Sequence, residues 1–409
     1  MWLILIKLAW RNIFRNKRRT LIAATAIGIG LAALIFVDAL MIGMSENMVR
    51  TATGSFLGDA QIHRAGFRDA QEVALTIQAL DDVTEGLATE AIVEHFTQRV
   101  LAPSMITSPA NVSAIALVGV NPQTEQFLSQ IDDVITEGVY FEGDSSRDIV
   151  IGAKLAEILE IGLGDRVVVT VAQAESGDLS QEMFRISGIY HFAGEEMNSG
   201  MAFVRIEKAR EMLAIGNAAH EIAIKFTSLA YSQDSTLPFW KTFSQHGNEA
   251  LSWIELMSQL NAILEMTKVS KYIMGVILFG VVVFGIINTL FMSLYERMFE
   301  FGVLRAVGTR PFGMARVILF EAGALAIVSI GLGAILGFVL TAIFAHVGID
   351  YTGIEMTGVT IQEFIRPVMT VEQFVIYPVW LFIFTIIAGL YPARYAAKMV
   401  PVDAMRRSF

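Results

Sequence analysis

The sequence predicts a membrane protein: four transmembrane α-helices, with a large α+β extracytoplasmic domain between helices 1 and 2. Three observations predict it. Apolar residues concentrate near residues 20–44, 272–294, 317–345 and 371–391, runs near the roughly 20 residues a helix needs to cross the hydrocarbon core. Lys and Arg gather at the ends of these runs in a pattern that fits one topology. Between the first two runs, short β-branched stretches broken by turns replace the long apolar segments. A mean hydropathy of +0.55 and a charged content of 17% agree, since about 25% of residues are charged in soluble domains.

The elements follow in order. Residues 1–19 read as a cytoplasmic amphipathic helix, with Leu3, Ile6, Trp10, Ile13 and Phe14 at helical spacing and Lys7, Arg11, Arg15 and Arg18 between them. Two roles stay open: lying on anionic headgroups, or acting as a lever on a cytoplasmic partner. The first span, 20–44, follows these basic residues and carries no Ala-x-Ala cleavage pattern, so it reads as a retained helix rather than a signal peptide. Asp38 lies near its outer end, and a structural or interfacial role suits that depth. Gly28-Ile29-Gly30-Leu31-Ala32-Ala33 matches a dinucleotide-binding pattern in letters only, because no strand precedes it. Its small residues, like Gly333 and Gly337, suit close helix packing.

Residues 45–268 form the predicted periplasmic domain. They hold 31 acidic residues and 14 Lys or Arg, a net of −17, which leaves +7 for the rest of the chain. Such acidity excludes nucleic acid as a partner, because phosphate neutralisation needs basic residues. It fits an ordinary solvated surface or an acidic docking face. With no cysteine, disulfides, thiol nucleophiles and thiolate metal sites are excluded. Strands are expected at 115–120, 149–152, 166–171, 184–191 and 201–206, and helices at 153–160, 207–215 and 74–101. The domain divides on this reading into a strand-rich lobe, about 110–230, and a second lobe joining 45–110 to 235–268. The flanking helices are expected to extend outward as stalks. Met41, Met44 and Met48 on the first, and Trp253, Met257, Leu260 and Leu264 on the second, recur at helical spacing. These faces either pack on one another or offer an adaptable lining to lipid or substrate.

No catalytic, metal or cofactor site emerges. No G-x-x-x-x-G-K-[ST] occurs, so the chain supplies no standard P-loop for ATP. His191, Glu195 and Glu196 lack metal-ligand spacing and read as a surface loop, and Ser199-Gly200 lacks the preceding glycine of a serine elbow. The remaining elements are a second span at 269–294, a short helix-like docking element on the cytoplasmic face at 295–314, a third span at 315–345, a periplasmic loop at 346–370, a fourth span at 371–391 and a cytoplasmic tail at 392–409. Arg297, Arg305, Arg310 and Arg316 in the 295–316 connection, and Arg394, Lys398, Arg406 and Arg407 at the end, place both segments and both termini in the cytoplasm.

Three stretches carry a family resemblance. They are Leu8-Ala9-Trp10-Arg11-Asn12-Ile13-Phe14-Arg15-Asn16-Lys17-Arg18-Arg19-Thr20; Asn288-Thr289-Leu290 through Glu296-Arg297 and Glu300-Phe301-Gly302-Val303-Leu304-Arg305-Ala306-Val307-Gly308 to Glu321-Ala322; and Tyr391-Pro392-Ala393-Arg394-Tyr395-Ala396-Ala397 with Pro401-Val402-Asp403-Ala404-Met405-Arg406. A fourth, Ile151-Gly152-Ala153-Lys154-Leu155-Ala156 with Gly164-Asp165, lies in the outer domain. Together they resemble the permease subunits of the MacB/FtsX/LolC–LolE group of ABC transporters. The resemblance implies Porter- and Sabre-like outer lobes and a permease dimer, of like or unlike subunits, docked on a cytoplasmic ABC ATPase dimer. This chain would bind no cofactor, while ATP and Mg sit in the partner ATPase. Force would enter at a coupling helix, carried here by Glu296, Arg297, Glu300, Phe301, Gly302, Leu304, Arg305 and Gly308. In that reading Phe301, Leu304 and Val307 fill an ATPase groove, and Glu300 and Arg305 set the register. The absence of an ATPase segment favours the lipoprotein-releasing type, with lipoprotein or lipid cargo in the bacterial inner membrane. An FtsX-like scaffold for a periplasmic cell-wall enzyme and a MacB-like efflux permease are the alternatives. In LolC-like members a long hairpin captures a periplasmic carrier. The matching stretch here, Ala172 to Met183, is short, polar and free of proline and aromatics, which puts carrier or adaptor capture in question.

Overall fold

A computed structural model describes residues 10–11, 17–141, 143, 145–192, 195–351, 355–356, 359–360 and 364–398. Most of the predicted amphipathic helix and the end of the tail lie outside the described residues. In chain order the elements that matter are α1 (Lys17–Ala52), a π-turn (Thr53–Leu57), β1 (Ala60–Arg64), α2 (Leu80–Thr89), β2 (Val93–Thr107), β3 (Val112–Val120), β4 (Ile135–Gly138), β5 (Asp148–Gly152), α3 (Ala153–Leu159), β6 (Arg166–Ala172), β7 (Leu179–Tyr190), β8 (Met201–Arg205), α4 (Ile206–Leu213), β9 (Glu221–Phe226), β10 (Asn248–Ser252), α5 (Ser258–Glu296), α6 (Met298–Ala306), α7 (Pro311–Val347), β11 (Glu355–Met356), β12 (Val359–Thr360) and α8 (Gln373–Ala397). The chain divides into two compact units: Met1–Glu46, Leu264–Asp350 and Phe364–Phe409 in the first, Asn47–Ile263 and Tyr351–Glu363 in the second.

The first unit is helical. Four helices, within Thr20–Leu57, Ser258–Glu296, Pro311–Val347 and Gln373–Ala397, are long and apolar enough to cross a membrane. Each outruns its predicted span. Pro378, which interrupts the sequence pattern, is accommodated inside α8. Helix α1 buries Ala23, Ala24, Ile27, Leu31 and Ile35 against Val282, Ile286 and Leu290 of α5, Ala322 and Leu325 of α7 and Leu381 of α8. The predicted small-residue contacts are present. A Cβ built at Gly333 would stand 2.7 Å from the Gly28 carbonyl oxygen, and one at Gly30 would collide with Val282. Backbones approach this closely only where side chains are missing. Asp38 is buried and ties three helices together: Lys271 Nζ of α5 stands 2.6 Å from Oδ1, and Gln373 Nε2 of α8 donates to Oδ2 at 2.9 Å. A paired intramembrane acid avoids the cost of an isolated buried charge.

The second unit is built on one mixed sheet in the order β10-β1-β9-β2-β3-β8-β5-β7-β4, with β6 pairing β2 and β7. Short runs of Val and Ile form its strands because their branched side chains suit a pleated surface packed on both sides. Three expectations are corrected here. The stretch 74–101 is not one helix: α2 ends at Thr89, and Val93, Phe96 and Val100 belong to β2. Their spacing is ambiguous over so few residues, and pairing with both β3 and β9 decides for a strand. The two lobes share one sheet, in which β2 supplies Val93 and Phe96 to one core and Val100, Ala102 and Ile106 to the other. Strand β9, assigned to the strand-rich lobe, sits between β1 and β2. Finally, residues 195–200 form a short helix rather than a loop.

Candidate functional site

Helix α5 ends at Glu296, and Arg297 breaks it with a backbone at φ −109°, ψ 16°. Helix α6 then runs from Met298 to Ala306. Two hydrogen bonds close it, from Gly308 N–H to the Arg305 carbonyl at 3.1 Å and from Thr309 N–H to the Leu304 carbonyl at 3.0 Å. Gly308 sits at φ +100°, a conformation that favours glycine. Pro311 starts α7, where its missing N–H costs nothing. The predicted coupling helix of 295–314 is therefore a shorter helix with a built turn at each end.

Its inward face is an aromatic plug. Phe301 is 2% exposed and packs among Leu294, Met314, Ile318, Ala393 and Ala396, drawn from α5, α7 and α8. Gly302 is buried beside it. The Arg297 guanidinium lies 5.1 Å from the Phe301 ring centre, donates to Glu300 at 3.0 Å, and bonds Glu321 of α7. Arg305 Nη1 donates to the Thr309 carbonyl at 3.1 Å, holding the exit turn. The outward face is apolar: Phe299, Val303, Leu304 and Val307 are exposed, Val307 at 82%. Phe312 is also exposed, with Arg316 4.4 Å over its ring.

This geometry revises the site residues. Phe301 does not project from the surface; its ring is spent inside the bundle. Arg297 and Glu300 form an internal clamp with Glu321. Leu304 is exposed as expected, and Glu296 is the exposed last residue of α5. Phe299 and Phe312 were not singled out. Their signal lies in the sequence, since large apolar side chains in a short segment between two spans exceed what one inward face can bury.

The stalk residues separate as well. Met41 and Met44 lie half-buried on α1, Met48 is buried, and Leu260 and Leu264 are buried on α5. Trp253 and Met257 do not share that face. Trp253 is buried in a separate turn, Trp253–Leu256, closed by a capping box of Ser252 and Glu255, and Met257 breaks the chain before α5 begins.

A second surface lies in the outer domain. Strands β6 and β7 form the hairpin over Ala172 to Met183, with Ala172 opposite Leu179 and Val168 opposite Met183. Their outward positions continue those of β2 and β3, where Thr107 stands opposite Val112 and Met105 opposite Ala114. None of the outward residues from Pro103 to Thr107, Val112 to Ala114, Val168 to Ala172 and Leu179 to Met183 is charged. Leu179 is 72% exposed, and Met105, Val112 and Met183 are exposed too. At one end a cavity of about 380 Å³ is lined by Arg147, Arg166 and Arg185 with Ser145, Asp148, Met183 and Phe184. The hairpin is short, and the face it completes is uncharged, with Thr107, Thr170 and Gln181 set among Leu179, Met105, Val112 and Met183.

Comparison with known proteins places the chain in a family. The MacB-like periplasmic core domain family matches residues 20–234, more than half of the chain, and the FtsX-like permease C-terminal family matches residues 272–401. The chain belongs to the MacB/FtsX-like ABC-transporter permeases. The permease is 24% identical over 272 residues to the lipoprotein-releasing system transmembrane protein LolC of Xylella fastidiosa, covering 63% of this chain but under two thirds, 64%, of that relative. It is 24% identical over 400 residues to the macrolide export ATP-binding/permease protein MacB 1 of Aeromonas hydrophila, covering 93% of this chain and 57% of that one. The crystal structure of the periplasmic region of MacB from Actinobacillus actinomycetemcomitans aligns at a TM-score of 0.36 and 14% identity, over 52% of this permease and 95% of that chain. The four spanning helices and the two family matches make the permease a multi-pass membrane protein, with its large α/β domain between the first and second spans.

Proposed function

We propose that this permease is the membrane subunit of an ATP-driven mechanotransmission complex that extracts or exports lipoproteins or other lipidic cargo from the inner membrane. Two permease subunits, alike or different, sit on a cytoplasmic ATPase dimer that binds ATP and Mg. Both termini face the cytoplasm, and the second unit works in the periplasm. The observation that carries this reading is the two-sided build of α6. Its inner side is locked to α5, α7 and α8 by Phe301 and by Arg297 with Glu300 and Glu321. Its outer side offers Phe299, Val303, Leu304 and Val307. A short helix anchored this way passes a push to three spans at once and presents an apolar patch suited to a groove. The cargo class rests on the names of the LolC and LolE relatives.

The uncharged face of β2, β3, β6 and β7 favours a periplasmic protein partner, carrier or adaptor, with an apolar surface and an acidic rim opposite Arg147, Arg166 and Arg185. Arg166 and Arg185 stand opposite each other across the ladder, with Asp148 lining the same cavity.

The direct test is Leu304→Asp with Val307→Asp. Both side chains are exposed, so the protein is expected to insert and fold while the permease no longer binds or stimulates its ATPase in reconstituted complexes. Unchanged stimulation would sink the assignment of α6.

A further inference from the structure

The outer domain holds a buried charge network that the α6 reading does not use. Phe56 lies in the π-turn just past α1. Its ring packs with Val118, Val120, Ile131, Val150, Tyr190 and Phe203, edge to face with Phe203 at 5.6 Å. The Arg99 guanidinium lies 3.8 Å from the Phe56 ring centre. Arg99, on β2, is 0% exposed. Its Nε and Nη2 donate to Glu125 at 3.0 and 2.6 Å, and Nη1 donates to Glu221 of β9 at 2.6 Å. Glu221 also meets His63 Nε2 of β1 at 3.2 Å. One planar side chain therefore joins the π-turn, β2, β9 and the turn after β3.

Stability alone is a weak reason for this arrangement. Desolvating an arginine and two carboxylates is costly, and packed apolar residues often replace such a cluster without loss. What apolar residues cannot supply is direction. A guanidinium forked onto two carboxylates and stacked on a ring fixes all three in one orientation. The turn it holds is a π-turn, a form that is uncommon and often marks functional positions. Two further bonds hold that turn, from Gln130 N–H to the Ser55 carbonyl at 3.3 Å and from Gln61 Nε2 to the Leu57 carbonyl at 2.8 Å. The first unit repeats the device: Arg297 lies over Phe301 and is held by Glu300 and Glu321. In each unit an aromatic plug in the short element just past a spanning helix is capped by an arginine between two carboxylates.

We propose that Arg99 is a positioning residue for force transfer, locking Phe56 so that displacement of α1 reaches the whole sheet instead of being absorbed in the π-turn. This rests on the mechanotransmission reading above. The variant Arg99→Lys keeps the charge and loses the fork and the stack. Phe56→Leu keeps apolar bulk and loses the ring face, and it carries the test if the lysine variant does not fold. Because the chain has no cysteine, nitroxide labels go cleanly on cysteines placed at the exposed Glu46 of α1 and Glu137 of β4. Electron–electron double resonance is then recorded on the full complex with its ATPase in nanodiscs, without nucleotide and trapped with ATP and vanadate. In the wild type the distance shifts on trapping. In either variant the shift is lost, while the protein stays folded and ATP hydrolysis is retained. A wild-type-sized shift in the folded variants overturns the proposal, as does a lowered melting temperature with the shift intact. No shift in the wild type refutes the mechanotransmission reading itself, and the role of Arg99 with it.

Discussion

Replacing Phe301 by alanine separates the inner and outer faces of α6 more sharply than any other single change. The ring is 2% exposed among Leu294, Met314, Ile318, Ala393 and Ala396. Its removal leaves a void of about 100 Å³, which at about 24 cal/mol per Å³ costs about 2.4 kcal/mol. The lost transfer free energy adds about 2 kcal/mol. The total, about 4 kcal/mol, lies within the usual range for a buried Phe→Ala change. Leu304→Ala, one turn away and exposed, is expected to shift stability by no more than about 0.5 kcal/mol. Thermal unfolding of the purified permease in detergent reads the first effect, and ATPase binding reads the second. Phe301→Ala lowers the melting temperature without the ATPase present; Leu304→Ala weakens binding and leaves melting alone. The reverse pattern, a stable Phe301→Ala protein that fails only in binding, would refute the assignment of Phe301 to the interior.

Two further outcomes are expected. Gly333→Val forces α7 away from Gly28 and Leu31, an overpacking that costs about 1–3 kcal/mol; Gly331→Ala, which meets nothing within 4 Å, serves as control, and equal melting of the two would count against the close approach. Acid should also weaken the outer domain. Burial lowers the pKa of His220 below its ordinary 6.5, so its contribution is full above that value and falls away as pH drops through the folded-state pKa. Glu221 acts lower on the scale. Burial pushes its carboxyl up, but His63 and Arg99 outweigh that and hold it below the ordinary 4.5, so its contribution is lost only in stronger acid. Melting recorded from pH 7 to 5 should therefore fall, and His220→Gln should flatten that slope; an unchanged slope removes His220 as its source.

Run length and local chemistry made much of the fold legible. The spans were visible because about 20 apolar residues in a row admit few other readings. The turns at Gly164, with φ +86°, and Gly308 were visible because glycine marks them. What escaped was decided at long range. Val93, Phe96 and Val100 suit a helix or a strand until β3 and β9 are placed beside them. Phe301 and Leu304 are both apolar neighbours on one short helix, and only the packing of α7 and α8 decides which turns inward. The break at Met257 carries no glycine or proline, so the Trp253 spacing promised a continuous helix that the chain does not form. The Arg99 cluster draws on β1, β2, β9 and a helical turn, and no local spacing announces such a meeting.

A strand common to two cores also limits how the outer domain can move. Since β2 lies in the middle of the ladder and feeds both cores, no seam separates the lobes, and a clamshell opening would have to tear backbone hydrogen bonds. Under the proposed force transfer, a load entering at β1 and β9 is carried to β6 and β7 through one continuous ladder.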